Sequence, residues 1–256
     1  PPDARLSSIM NADVWKVHTD MDQEQVAQLV SKYNLLAIPV VDNKNALMGI
    51  ITVDDVIDVL RKEATEDILK MGGTQSEEYL STSALKRAKL RIPWLFATWM
   101  GGFLALQIVG HFEGLLERMV YLAAFIPIIS GMGGNVGTQT SAIVVRGIAT
   151  GRVNPGEVIK VLGTELRTGL ILGVCYGLLL GFVAKVQFAS VPMLGLTVGL
   201  AICAAMVMAA TIATIMPMIY ERLNIDPAIA TGPSLTTTVD VLSIFTYFSI
   251  AGALLS

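Results

Sequence analysis

The alternation of apolar and polar positions divides the chain into two parts. From residue 92 onward, five apolar segments follow one another, roughly at 92–109, 121–145, 158–186, 193–220 and 227–255. An apolar run of about 20 residues is the length that crosses a bilayer as a helix, so five spanning helices are expected. Before them the pattern is shorter and mixed. Residues 14–17 read as a strand. Asp22 then opens a helix whose Val26, Leu29 and Val30 keep a 3–4 spacing. Ala37–Val41 and Leu47–Thr52 read as strands joined by a turn at 42–45, and Thr52 opens a helix over 53–60. A polar helix continues over 61–69 and stops at Gly72-Gly73.

Composition agrees with this division. The chain has 256 residues, 53% of them hydrophobic, too apolar for an ordinary soluble domain. Residues 1–80 hold 14 of the 21 acidic residues but only 7 of the 18 basic ones, so the leading part is acidic and no basic nucleic-acid face is indicated. Lys86, Arg87, Lys89 and Arg91 precede the first apolar segment. Such a group marks the cytoplasmic side, and the helix carrying it is expected along the membrane surface. Arg146, Arg152, Lys160 and Arg222 fall in loops on that same side, whereas Arg118 and Lys185 fall opposite. Five spans then put the N-terminus in the cytoplasm and the C-terminus outside the cell (inner) membrane. The start at Pro1-Pro2, without an initiator Met or apolar leader, suggests a piece of a longer chain. Cys175 and Cys203, inside apolar stretches, read as small buried hydrophobes.

Two spans carry unusual chemistry. The fifth holds Thr236-Thr237-Thr238-Val239-Asp240, preceded by Gly232-Pro233. An ionised aspartate at bilayer depth costs about 2.5–3.5 kcal/mol and needs water, a cation or a donor beside it. Threonine hydroxyls and carbonyl oxygens freed at Gly232-Pro233, with one carboxylate, suit a hard cation such as Mg²⁺ that keeps most of its water. The second span contains Pro127, Gly131, Gly133, Gly134 and Gly137 among Asn135, Thr138, Gln139 and Thr140. At membrane depth such a segment packs closely against another helix or lines a water-filled path. The pairing with Asp240 favours a lining, to which Gly134 would bring a carbonyl and Asn135 an amide.

In the acidic part, Glu63, Glu66 and Asp67 share a helix face, with Asp54, Asp55 and Asp58 behind them. This is either a solvated face or a set of carboxylates that a divalent cation bridges. An intramembrane aspartyl protease needs two aspartates and Asp240 is alone; His18 and His111 lack a zinc-protease context. No ATP-hydrolysing motif is present, and no enzymatic activity is expected.

The stretch LLAIPVVDNKNALMGIITVDDVIDVL resembles a CBS motif, a nucleotide-sensing module. The resemblance implies nucleoside contact at Thr52 and Asp55, and ATP at a complete tandem pair of which residues 1–60 supply the second member. With GGNVGTQTSAIVVRGIATG, DPAIATGP and TTTVDV downstream, the chain resembles the MgtE family of magnesium channels and transporters along essentially its whole length. The resemblance implies a homodimer in membrane lipid, with a pore on the two-fold axis lined by the second and fifth spans. Two copies of Asp240 would hold hydrated Mg²⁺ there, with Asn135, Gly134, Thr236 and Thr237 around it. Residues 61–91 would be a connecting plug helix that shuts the pore when cytoplasmic Mg²⁺ binds Glu63, Glu66, Asp67, Asp58 and Asp54, and 92–256 the conducting domain. The expected fold class is therefore an all-α membrane bundle of five helices behind a partial α/β CBS domain and a connecting helix. Magnesium uptake is the expected function. Transport of Mn²⁺, Co²⁺ or Ca²⁺ is the alternative, and a membrane-anchored nucleotide-sensing regulator a further one.

Overall fold

A computed structural model describes residues 5, 10–11, 13–153 and 155–255. The residues ahead of 13 that the CBS reading includes lie mostly outside that description. The chain forms two compact units, residues 1–66 and 67–256.

The first unit is a three-stranded sheet with helices. Strand β1 (Val17–His18) pairs in parallel with β2 (Ala37–Val41), and β2 pairs antiparallel with β3 (Leu47–Thr52). Between β1 and β2 runs α1 (Gln23–Tyr33), opened by Asp22, whose carboxylate accepts the Glu24 N–H at 2.8 Å. The hairpin between β2 and β3 is held by Asp42, which accepts the N–H groups of Lys44 and Ala46 at 2.8 Å each, with Asn45 at φ +60°. Val17, Val26, Val30, Ile38 and Val56 form the core. The strand expected over 14–17 is only two residues long. Val14 and Trp15 stay exposed, and Trp15 stacks on Tyr33 at 4.1 Å instead of entering the sheet. Helix α2 (Val53–Met71) follows β3 directly and runs without a break through the residues expected as two helical stretches.

The second unit is helical. After α2 comes the short α3 (Ser76–Leu80), then α4 (Ala84–His111), α5 (Glu113–Arg118), a 3₁₀ segment (Val120–Phe125), α6 (Ile126–Ala149), α7 (Val158–Gln187), α8 (Leu194–Arg222), a 3₁₀ turn (Pro227–Ala230) and α9 (Pro233–Leu255). Among the described residues, five helical stretches are long and apolar enough to cross a membrane, close to the expected spans. The basic residues 86–91 do not form a separate surface helix. They occupy the first turns of α4, which continues through Pro93 into the first span.

Helix α8 is the hub. Half of its apolar window is buried, against 6% for α4, and it packs on α6, α7 and α9. The α7–α8 seam depends on glycine. A Cβ at Gly195 would lie 2.6 Å from the Gly181 carbonyl oxygen, and one at Gly177 would lie 2.6 Å from that of Gly199. Without hydrophobic drive between helices in lipid, such backbone-to-backbone packing supplies much of the association. Phe96, Trp99 and Phe103 stack along the exposed face of α4, an apolar surface suited to acyl chains. Cys175 was expected to be buried but is exposed on α7, because the glycines of α7, not its cysteine, form the seam.

Replacing Gly195 by Ala puts a methyl group against backbone that cannot rotate aside. The variant should lose about 1–3 kcal/mol and melt several degrees lower in detergent. An unchanged melting temperature would contradict this account of the seam.

Candidate functional site

Helix α6 is unbroken despite its glycines, because Pro127 sits in its first turn, where no amide bond is lost. The glycines divide between two faces. Gly133 and Gly137 meet α9: a Cβ at Gly133 would lie 2.9 Å from Ser243 Oγ and 3.3 Å from Val239 Cγ1, and one at Gly137 would lie 3.5 Å from Val239 Cγ2. Close packing explains this face. On another face Gly131, Asn135, Thr138, Gln139 and Arg146 are exposed, a polar stripe along a membrane-spanning helix.

Asp240 lies seven residues into α9, about 10 Å along the axis at 1.5 Å per residue, and is half-buried. It faces α6. Ser130 Oγ donates to Asp240 Oδ1 at 2.6 Å, and a Cβ at Gly134 would stand 3.7 Å from the same oxygen. Ser130 was not singled out in the sequence. It lies four residues before Gly134, on the same helix face, a placement that acquires meaning only once α9 stands beside it.

The structure does not gather every expected ligand around this carboxylate. The Thr236 hydroxyl donates to carbonyls of its own helix, Gly232 at 3.2 Å and Pro233 at 3.3 Å, and Thr238 does the same to Ser234 at 2.8 Å. The Gly232 carbonyl expected to be free is therefore engaged. Thr237 packs against α4, where a Cβ on Gly101 would fall 1.7 Å from its methyl; its buried hydroxyl has no hydrogen-bond partner among the described residues. Asn135 stands on the exposed stripe of α6.

Two buried bonds fix the frame around Asp240. Tyr247 OH donates to the Leu122 carbonyl at 2.9 Å, pinning the 3₁₀ segment before α6 to α9. Thr140 Oγ1 donates to Glu165 Oε2 at 3.0 Å, tying α6 to α7. Glu165 points inward and is buried.

The acidic residues of α2 are spread along the helix. Asp54, Asp55 and Asp58 are exposed, Glu66 and Asp67 are half-buried, and Glu63 accepts from Gln23 Nε2 at 2.7 Å. Among the described residues, no three His, Cys, Asp or Glu side chains converge as a cation site. Thr52 and Asp55 do come together, hydroxyl to carboxylate at 3.1 Å. The Thr52 side chain, followed by the backbone N–H groups of Asp54 and Asp55, holds the Asp54 carboxyl below the usual carboxylate range.

The end of α2 docks on the start of α9. Lys70 pairs with Asp226, which also accepts the Ala228 N–H at 2.8 Å. Gly73 (φ +71°) and Gly232 (φ +62°) interlock: a Cβ on Gly73 would lie 2.6 Å from Pro233 Cγ, and one on Gly232 would lie 2.5 Å from the Met71 carbonyl oxygen. Both positions need glycine for its backbone angle and for its lack of a side chain.

A bundle of five apolar helices with a carboxylate on an inner face and a polar stripe beside it defines a multi-pass membrane protein. Comparison with known sequences makes the class specific. Residues 126–250 match the MgtE family, described as a divalent cation transporter, and residues 6–62 match the CBS domain. The chain is 37% identical over 252 residues to the magnesium transporter MgtE of Bacillus subtilis, covering 98% of this chain and 56% of that protein. It is 37% identical to the protein of that name from Enterococcus faecalis, covering 97% of this chain and 54% of the relative, and 36% identical to that from Thermus thermophilus, covering 99% and 56%. The chain is thus similar to these proteins along nearly its whole length, with the CBS-domain match ahead of the match to the MgtE family. It spans about half the length of these curated relatives.

Gly232→Ala should undo the docking of α2 on α9. Trypsin cleavage at Lys70 in the purified protein should accelerate roughly tenfold, the effect of losing about 1.4 kcal/mol of local stability. Cleavage at the wild-type rate would contradict the interlock.

Proposed function

We propose that the chain conducts Mg²⁺ inward across the cell membrane as a homodimer, with Asp240 holding the hydrated ion on the two-fold axis. The observation that carries this reading is a half-buried carboxylate inside a spanning helix, held on α6 beside a stripe of exposed polar residues. Exposed Asn135, Thr138 and Gln139 are costly against lipid but favourable against water. A second copy related by two-fold symmetry would enclose them and bring two Asp240 side chains to one path. The name borne by the relatives supports magnesium as cargo. Another divalent cation is the second reading, favoured by the broader description of the family.

The ion would be driven by the membrane potential. A divalent ion gains about 4.6 kcal/mol per 100 mV, twice the single-charge value. Gly134 brings an open side to the path, its carbonyl being engaged by the Thr138 hydroxyl at 2.9 Å, and Asn135 brings its amide. Thr236 and Thr237 shape α9 without aiming hydroxyls at Asp240. The basic residues at 86–91, 146, 152, 160 and 222 support a cytoplasmic N-terminus and an outer C-terminus.

Cytoplasmic Mg²⁺ would regulate through Asp54, Asp58, Glu63, Glu66 and Asp67, the carboxylates of α2. Spread along one helix, they need carboxylates from a second copy or another segment to close a cation site. Their route to the pore is the last turn of α2, joined to α9 by Lys70–Asp226 and the Gly73–Gly232 interlock. Thr52 and Asp55 would contact a nucleoside, and ATP would require a complete CBS pair.

Magnesium uptake into proteoliposomes by wild type and Asp240→Ala, with internal Mg²⁺ varied, tests the proposal. Uptake should be abolished in the variant, which should still elute as a dimer. In the wild type it should fall as internal Mg²⁺ rises. Wild-type flux through Asp240→Ala would sink the pore assignment.

A further inference from the structure

Several hydroxyls of α6 and α9 bond back to carbonyls in, or just before, their own helix. Thr138 donates to Gly134 O, Ser141 to Thr138 O, Ser234 to Thr231 O, Thr236 to Gly232 O and Thr238 to Ser234 O. This back-bonding is the ordinary behaviour of serine and threonine in a helix with no better partner. Ser130 departs from it: its hydroxyl crosses to α9 and donates to Asp240 Oδ1 at 2.6 Å, a length typical of a charge-assisted O–H···O⁻ bond. The approach that allows it comes from Gly133 and Gly137, which let Val239 and Leu235 settle against the α6 backbone.

We infer that Ser130 is a positioning and specificity-determining residue for the cation site, fixing one oxygen of Asp240 so that the carboxylate meets the ion through water instead of binding it directly. The inference rests on the pore reading of Asp240. A free aspartate can turn either oxygen, or both, onto a bare cation. With Oδ1 held by Ser130, bidentate ligation loses one of its arms. Oδ2 and the remaining lone pairs of Oδ1 still accept hydrogen bonds from coordinated water. This arrangement favours the ion that surrenders water most reluctantly. Mg²⁺ keeps its octahedral water, whereas Ca²⁺ takes carboxylate oxygens readily, including both of one group. The hydroxyl also gives the charged carboxylate a donor at membrane depth, where an unaccompanied charge is costly.

The test uses the chain in proteoliposomes with four proteins: wild type, Ser130→Ala, Ser130→Thr and Asp240→Asn. Uptake is measured against external Mg²⁺, and Mg²⁺ uptake is measured with Ca²⁺ as competitor. Ser130→Ala should raise the half-saturating Mg²⁺ concentration about tenfold, the low end of what a lost hydrogen bond to a charged group produces. Ca²⁺ should block it at correspondingly lower concentration. Ser130→Thr, which keeps the hydroxyl, should restore both values. A loss of hydroxyl function should shift half-saturation and competition, whereas a merely structural role would lower maximal flux alone.

If Asp240→Asn is inactive while Ser130→Ala matches wild type in both half-saturation and Ca²⁺ block, the inference is overturned and the pore reading stands. Equal defects in Ser130→Ala and Ser130→Thr would overturn it too, since the hydroxyl would then not be the operative group. Wild-type flux through Asp240→Asn would overturn the pore reading, and the inference with it. Should Ser130→Ala not insert as a dimer, Ser130→Cys, similar in size with a weak donor, carries the same measurement. It should fall between wild type and the loss expected for Ser130→Ala, and wild-type values from it would overturn the inference.

Discussion

The close approach of α6 and α9 governs the candidate site. Two residues without side chains, Gly133 and Gly137, let Val239 and Leu235 pack onto helix backbone. That approach brings the neighbouring positions, Ser130 and Asp240, within hydrogen-bond distance. A side chain at Gly133 would press on Ser243 and Val239 and oppose this approach, whereas a methyl group at Gly137 would meet Val239 and Leu235 at ordinary contact distance. The same principle recurs at the α7–α8 seam, where Gly177, Gly181, Gly195 and Gly199 meet backbone to backbone. In lipid, where apolar side chains gain little from leaving one apolar surroundings for another, contact distance becomes the main source of order. The small residues are consequently as important to the site as the polar ones.

The rest of the second unit serves to hold that geometry. Tyr247 fixes the segment before α6, Thr140 and Glu165 fix its middle against α7, and α8 fills the centre. The end of α2 meets α9 seven residues before Asp240, through an ion pair and two interlocked glycines. A displacement of this turn would act on the first turns of the helix that carries the carboxylate. Under the proposed function, that connection is the route by which the acidic helix would act on α9, with no contact needed between a regulatory cation and Asp240.

Much of this was legible in the sequence. The five spans follow from length and hydropathy, and the structure agrees to within a few residues except at α4, where basic residues continue into the span because Pro93 does not stop the helix. Asp240 stood out because an isolated carboxylate at membrane depth demands an explanation. The threonine cluster was legible as composition but not as geometry. A helix rotates successive residues by 100°, so Thr236, Thr237 and Thr238 cannot all face Asp240, and two of them bond back to their own carbonyls. Ser130 was hidden for the converse reason. A single serine among apolar residues carries no signal until the partner helix is placed beside it. The inward turn of Glu165 and the docking of α2 on α9 likewise depend on contacts between segments far apart in sequence.

The central claim is that the polar stripe of α6 beside Asp240 faces water. Single cysteines at Asn135 and, as a lipid-facing reference, at the exposed Leu178 of α7 would test it directly in a background with Cys175 and Cys203 replaced. A membrane-impermeant charged thiol reagent, applied to intact proteoliposomes with and without Mg²⁺, would report on each. The account predicts rapid labelling at position 135, slowed by Mg²⁺, and none at 178. Equal labelling at both, or none at 135 while the protein still conducts, would contradict it.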